Sequence, residues 1–410
     1  MFHYLKTFSL VVAVQFIIAV CFNLLVDPYG AWHNIRIHGF NALKPKQIDN
    51  QRIFKMGAWN RQPTSWLILG TSRAFFGLDP SHSGFTEPVY NLAMYCQSVE
   101  ESQRLLAWAS KKTQLRLVIL ATDFFSANMF YNPYPIQEQY FSFFGRLMSA
   151  ASMDTTLSSI KTIDAQASIN KFTSVETGTG FINKTSYEPR PNHRQNFLDT
   201  HWTYLIEYYF PKPNFQFSFS DNEKNIEDFY RYMFALSHKN AIDFHILISP
   251  IQAQQLEVLN VIGLGPLREE WLRIMVKVNE EEAALAGKAP FPLWDFSGFN
   301  SLTTEEVPAL GDTETRMKWY WESSHYKKEL GDLVLDRVLD YSSPNRKVPA
   351  DFGVLLDSKM LEAHLNQVRI DRDVWRKSHP EDVKEIAEMA AKAEAKRAFM
   401  KAKKKVPTAR

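Results

Sequence analysis

Cysteine is nearly absent. Of 410 residues only Cys21, in an apolar N-terminal run, and Cys96, deep in the body, are cysteines, and the two are not expected to pair. Such sparse use suits the cytoplasm or a bacterial periplasm and leaves no disulfide framework to read. No group of Cys and His has zinc-site spacing. No glycine-rich phosphate loop and no dinucleotide fingerprint occur, so neither a metal nor a cofactor is expected. The net charge of +2 gives nucleic acid no electrostatic reason to bind. No internal repeat is present.

What the chain does have is an ordinary globular composition, 45% apolar and 22% charged, with aromatics at 14% crowded into the middle. One long uncharged run stands near the N-terminus, Thr7 to Val26 (TFSLVVAVQFIIAVCFNLLV). About 20 helical residues span a hydrocarbon core. The run is apolar on all sides, which argues against a buried soluble helix. A cleaved signal peptide is the nearer alternative, but Asp27-Pro28-Tyr29-Gly30 follows with no small-x-small cleavage site. A lipoprotein signal at Cys21 would want a small residue where Val20 stands. An uncleaved anchor over residues 1–26 is therefore expected. Lys6 and the amino terminus are the only positive charges before it, so the positive-inside rule puts the body outside the cytoplasm. That describes a single-pass protein of a bacterial inner membrane with its body in the periplasm.

Residues 27–63 are polar and irregular, with Pro45 and Pro63 as breakers, and suggest a stalk or extension. An α/β rhythm follows. Trp66–Leu69, bounded by Gly70, suits a fully buried strand, and Val89–Leu92 a second. Ser98 with Glu101 forms a capping box that opens a helix through Ala109. Leu115–Ala121 is a third strand. Alternation of this kind predicts a parallel sheet with crossover helices. From about 124 to 220 the rhythm breaks into an aromatic, Ser/Thr/Asn-rich insertion, including FYNPYP, QYFSFF, HWTYLIEYYF and NFQFSF. It then resumes with a helix at Asn222–Ser237, a strand at Phe244–Ser249, a long helix at Pro266–Leu285, a short strand at Pro292–Phe296 and a helix at Tyr326–Tyr341. The α/β domain is thus expected over 64–345. Residues 346–410 form an extension that ends in a charged helical tail, either solvated or lying on a membrane surface.

Two short motifs carry chemistry. Leu69-Gly70-Thr71-Ser72-Arg73 would present Ser72 at the C-terminal edge of the sheet, where sites of open α/β folds form. Taken alone it equally suits a serine that caps the next helix. Far downstream, Glu322-Ser323-Ser324-His325-Tyr326 sets a carboxylate within one turn of a histidine. A serine hydroxyl needs a base to take its proton, and the base needs a third group to hold its tautomer. Ser72, His325 and Glu322 supply that set, with Trp319, Tyr320, Trp321 and Tyr326 expected to wall it from water. Asp295, at the end of a predicted strand, is a rival acid for His325 or a turn cap. His82, His193 and His201 read as ordinary loop histidines. The aromatics of the insertion read as core, or else as a platform for sugar rings.

Together with Tyr90-Asn91-Leu92-Ala93 on the second strand, these motifs resemble the SGNH (GDSL-like) hydrolase superfamily over roughly residues 64–340. The nearest flavour is its membrane-anchored envelope branch, which includes alginate O-acetyltransferase-like proteins and the D-alanyl transfer protein of teichoic acid synthesis. The resemblance implies a flavodoxin-like three-layer α/β/α fold with Ser72 as nucleophile, His325 as base and Glu322 where the family usually has Asp. It implies an esterase or acyltransferase acting on an acylated glycan or glycolipid, with a membrane-bound acyltransferase as a possible partner. Two departures bear on the oxyanion hole. The family's second-motif glycine is missing from Ala93-Met94-Tyr95-Cys96. Its third-motif asparagine is replaced by Asp123, which cannot donate when ionised. Asn91 or Asn128 could substitute. Arg73 could pair with Asp123 or be a surface charge. The departures also fit a catalytically silent scaffold that binds glycan or a membrane partner.

Overall fold

A computed structural model describes residues 2–131, 134, 142–166, 179–181, 192–210 and 216–405. In chain order its helices and strands begin with α1 (Phe2–Val26), α2 (Gln51–Arg61), β1 (Trp66–Gly70), α3 (Ser72–Gly77), β2 (Val89–Asn91), α4 (Val99–Ser110) and β3 (Leu117–Thr122). Then come α5 (Phe143–Ala150), α6 (Met153–Ala165), α7 (His193–Thr203), α8 (Ile226–Lys239), β4 (Asp243–Ile248), α9 (Ala253–Val261) and α10 (Gly265–Ala286). The last are β5 (Leu293–Asp295), α11 (Lys328–Val338), β6 (Val354–Leu355), α12 (Leu361–Ser378) and α13 (Pro380–Lys405).

The elements fall into two compact units. One comprises Met1–Thr64 with Pro135–Glu188, the other Ser65–Tyr134 with Pro189–Arg410. Much of the expected insertion therefore groups with the N-terminal residues rather than with the α/β body. FYNPYP, QYFSFF and NFQFSF lie partly outside the described residues.

In the first unit, α1 is long and apolar enough to cross a membrane, and it lies near the N-terminus, where signal sequences also fall. The stretch expected to be an irregular stalk contains α2, which buries Ile53, Phe54, Met56 and Trp59. Pro45 and Pro63 stand outside this helix, so they delimit it and do not break it.

The second unit holds a mostly parallel six-stranded sheet in the order β2-β1-β3-β4-β5-β6, with only β6 antiparallel to its neighbour. Its central strands are continuous apolar runs, WLILG and LVILAT, because both faces are covered and neither can alternate with water. Ser98 caps α4 by accepting the Glu101 N–H, as its sequence predicts. After β1 the chain turns to one side to form β2. It then returns past β1 to form β3 on the other side. The C-terminal ends of β1 and β3 consequently flank a topological switch point, the place where open sheets leave a crevice.

The C-terminal extension is more than a charged tail. Leu361, Leu365 and Trp375 of α12 are buried, and so are Ile386 and Ala393 of α13. The small alanines of α13 let it pack against α9. Arg372 and Arg376 of α12 reach the buried carboxylate of Glu257 on α9.

Candidate active site

β1 ends at Gly70, whose φ of +150° and close approach to the Ala121 carbonyl leave no room for a side chain. Thr71 caps the next helix by accepting the Arg73 N–H at 3.2 Å. Ser72 is thereby the first residue of α3, at the switch-point edge of the sheet. Its side chain is nearly buried.

Its partner arrives on a tight hairpin. Trp321 N–H bonds the His325 carbonyl at 3.0 Å, Lys327 N–H bonds the Trp319 carbonyl at 2.8 Å, and Tyr320 pairs with Tyr326. At the tip, the Glu322 carboxylate accepts the Ser324 N–H at 2.7 Å and the His325 N–H at 3.0 Å. The acid thus builds the turn that presents the histidine. His325 Nδ1 bonds Glu322 Oε1, and His325 Nε2 lies 2.7 Å from Ser72 Oγ. A carboxylate only accepts, so Nδ1 carries the proton and Nε2 is left to accept the serine hydroxyl. Burial pushes the Glu322 carboxyl up. His325, the Ser324 N–H and the Thr200 hydroxyl more than offset this and hold it below the usual range. The acid is therefore charged at neutral pH, as an orienting group must be.

Arg73 ties the two halves together. Buried beside the serine, it donates to Asp123 at 2.6 Å, to the Ser324 carbonyl at 3.1 Å and hydroxyl at 3.2 Å, and to the Tyr204 hydroxyl at 3.2 Å. Tyr204 in turn bonds Ser324 Oγ at 2.6 Å. Burial would lower the Arg73 pKa, but the Asp123 charge raises it well past its ordinary value. The guanidinium also faces the Phe125 ring at 5.1 Å. Asp123 itself accepts from Arg73 and Thr71, so it braces the strand ends and does not face a reacting carbonyl.

The other sequence candidates separate. Asn91 spends both amide N–H bonds on the Ala74 and Leu78 carbonyls, each at 2.9 Å, and holds α3 against β2. Asn128 accepts the Phe130 N–H and reaches the Tyr208 carbonyl. Asn91 therefore has no amide N–H left to offer an oxyanion. Asp295 is not a partner of His325. Its oxygens are occupied by Arg268 at 3.2 Å, His364 at 3.0 Å and the Ser297 N–H at 2.9 Å. Burial pushes its carboxyl up, and those groups hold it far below the usual range. Cys96 takes a left-handed backbone, φ +52°, between the Tyr131 and Tyr208 hydroxyls. This is the conformation that a glycine adopts without strain. Tyr320 and Tyr326 are core residues, and Phe76 packs edge-on against His325 with ring centres 5.1 Å apart.

Several supporting residues carried no sequence signal. Tyr204 begins a π-helical turn at the end of α7, and Tyr204–Tyr208 lie inside the aromatic segment that had no readable period. Tyr204 and Tyr208 stack on each other and against Phe125 and Tyr131; Tyr204 is buried as the core reading expects, Tyr208 is half-buried, and Phe143 and Phe144 of the same segment are exposed. His193, read as ordinary, accepts the Met317 N–H and faces the Trp321 carbonyl, both at 3.3 Å, so it holds the base of the hairpin. His82 is buried between Asp336 and Arg346. Among the described residues no cluster of three or more acids, histidines or cysteines could hold a metal ion. Comparison with protein-family models, with curated proteins and with solved structures returned no match for this chain.

Proposed function

We propose that the chain is a serine esterase or O-acyltransferase of SGNH type, with a flavodoxin-like α/β/α body carried on an N-terminal membrane anchor. Its substrates would be O-acyl esters of a cell-envelope polysaccharide or glycolipid. The observation that carries this reading is the relay from Glu322 through His325 to Ser72, with 2.7 Å between His325 Nε2 and Ser72 Oγ. In the first step Ser72 Oγ bonds the ester carbonyl carbon while its proton moves to His325 Nε2. The tetrahedral intermediate then expels the alcohol, which takes the proton back from His325 and leaves an acyl-serine. Water, or a hydroxyl of an acceptor glycan, repeats the cycle in reverse. Hydrolysis and transfer differ only in that acceptor. The Ser72 N–H, in the first turn of α3 and so without a helical partner, is one donor for the oxyanion. The second donor in this reading is a backbone N–H at Cys96, whose left-handed turn stands where the family has glycine.

The test is trapping. Full-length protein in detergent is treated with a fluorophosphonate, and the label is located by peptide mass spectrometry. Label on Ser72 that is lost in His325→Ala supports the acyl-enzyme. A folded protein that takes no label, with the wild type cleaving p-nitrophenyl acetate no faster than Ser72→Ala, would sink it. The second reading, a silent scaffold binding glycan or a membrane acyltransferase, would then stand. It is favoured by one observation: Asn91 and Asp123 both have their polar atoms committed elsewhere.

A further inference from the structure

Helix α6 is built inside out for a helix bathed in water. Thr155, Ser159 and Thr162, at the four-and-three spacing of one helical stripe, are buried. Met153, Leu157 and Ile160 repeat the same spacing on the other side and are exposed. The buried polar stripe faces α1. Ser159 Oγ donates to Asn23 Oδ1 at 2.8 Å, and Asn23 Nδ2 donates to Thr156 Oγ1 and to the Ala150 carbonyl, both at 2.8 Å. Tyr29 donates to Ser158 at 3.2 Å. Helix α5 extends the apolar exterior with Phe143, Phe144 and Met148. These six side chains are 44% to 77% exposed. A water-exposed apolar surface of this kind marks a binding face.

We propose that the outer face of α5 and α6 is seated in a lipid bilayer beside the last turns of α1. Its depth follows from α1. At about 1.5 Å per residue the 25-residue helix is longer than a hydrocarbon core of about 30 Å, so its last turn, with Asn23, falls at the boundary. The hairpin bonded to Asn23 lies at that level, where one face meets protein polar groups and the other meets acyl chains. Trp32, His33, Arg61 and Arg146 line a cavity of about 440 Å³ at the same end of α1. Tryptophan and basic side chains suit the headgroup zone of an anionic leaflet. Lys161 flanks the stripe and can extend its ammonium to the headgroups. Asp164 closes the stripe, so contact covers only the first turns of α6. The occupant is lipid and not a second copy because α5 and α6 pack directly against α1, whose own exposed side chains are largely apolar and which is long enough to cross a bilayer.

This proposal rests on the reading of α1 as a membrane anchor, and the experiment separates the two. Full-length protein in Cys96→Gly background is placed in nanodiscs of phosphatidylethanolamine and phosphatidylglycerol. A nitroxide is attached at native Cys21, which is exposed on α1. With Cys21→Ser added, it is attached instead at Leu157→Cys, Ile160→Cys or, as a control on the other unit, Lys239→Cys. Power saturation compares oxygen, which concentrates in lipid, with a water-soluble nickel chelate. Labels at 157 and 160 are expected to favour oxygen, as at 21, while 239 favours nickel. Nickel preference at 157 and 160 with oxygen preference at 21 would overturn the proposal and leave the anchor intact. Labels at 157 and 160 reached by neither reagent would mean that protein covers the face, which overturns it too. Nickel preference at 21 would remove the anchor and the proposal together.

Discussion

Glu322 does two jobs with one carboxylate. It accepts the two N–H groups that fold the hairpin tip, and it orients His325. A glutamine there keeps one acceptor oxygen, sets an NH2 against one of the N–H groups of the tip, and brings no charge for the imidazolium. Glu322→Gln is therefore expected to lower kcat for p-nitrophenyl acetate by roughly 10²- to 10⁴-fold with KM little changed. Arg73 never touches substrate in this reading, yet it joins the serine's helix, the end of β3 and the hairpin. Removing its charge would leave Asp123 buried without a cation. Arg73→Met should cost about 3–5 kcal/mol in chemical denaturation. At Cys96 the backbone matters more than the sulfur. Cys96→Gly is expected to retain fold and activity. Cys96→Val puts a β-branched residue at positive φ and should lose about 1–3 kcal/mol, together with activity.

Elements set the distance between Ser72 and His325. α3 begins at Ser72, and α11 begins three residues after His325. The two helices meet where Gly331 rests on the Gly77 carbonyl and Tyr326 lies across Gly77, with no room for a Cβ on either glycine. Gly331→Ala must push α11 away from α3. It should cost about 1–3 kcal/mol of stability and reduce kcat more than KM, as measured by thermal melts and ester turnover. The strand-helix rhythm, the capping box and the motifs around Ser72 and His325 were readable because each obeys local chemistry: buried runs, a Ser-x-x-Glu cap, a glycine at a tight turn. The roles of Asn91, Asp123 and Asp295 were not. A short polar side chain at a strand end points to a crevice in every sequence, and only the arrival of Arg73, Arg268 or His364 from a distant segment decides what it bonds. Tyr204 was hidden for a related reason, since an aromatic in a segment without period has no face to assign. Helix α6 was equally illegible, its apolar and polar stripes being exchanged relative to a soluble helix.

At the scale of the whole molecule, several histidines are buried without charge. Burial and Arg194 hold the His201 imidazole at about 3, despite the opposing pull of Glu322. Burial also lowers His82, His193 and His238; at His379 burial is likewise the largest single influence, but Glu306, the Trp375 carbonyl and Asp382 together outweigh it and raise the imidazole. Below about pH 6.5 an unfolded chain binds protons more readily than the folded one at His82, His193, His201 and His238, and His379 acts in the opposite sense. Stability is therefore complete above that pH and falls as acid is added. His201 contributes up to about 1.4 kcal/mol per pH unit between 6.5 and its folded value. Glu322 acts in the same direction but only below the ordinary carboxylate range. Melting temperature measured at pH 7.5, 6 and 5 should drop in the wild type and drop less in His201→Phe, and parallel slopes would refute the assignment.

Ser72 and His325 stand 253 positions apart along the chain. A ribosome adding about 5–20 residues per second needs roughly 10–50 s to travel from one to the other. Throughout that interval the emerging polypeptide carries Ser72 without His325 beside it, and the hairpin that will present that histidine has not been made. On the function proposed above, such a chain is chemically silent during its synthesis. It gains its relay only when nearly all of the α/β unit has been made, so acyl groups met before then are left untouched.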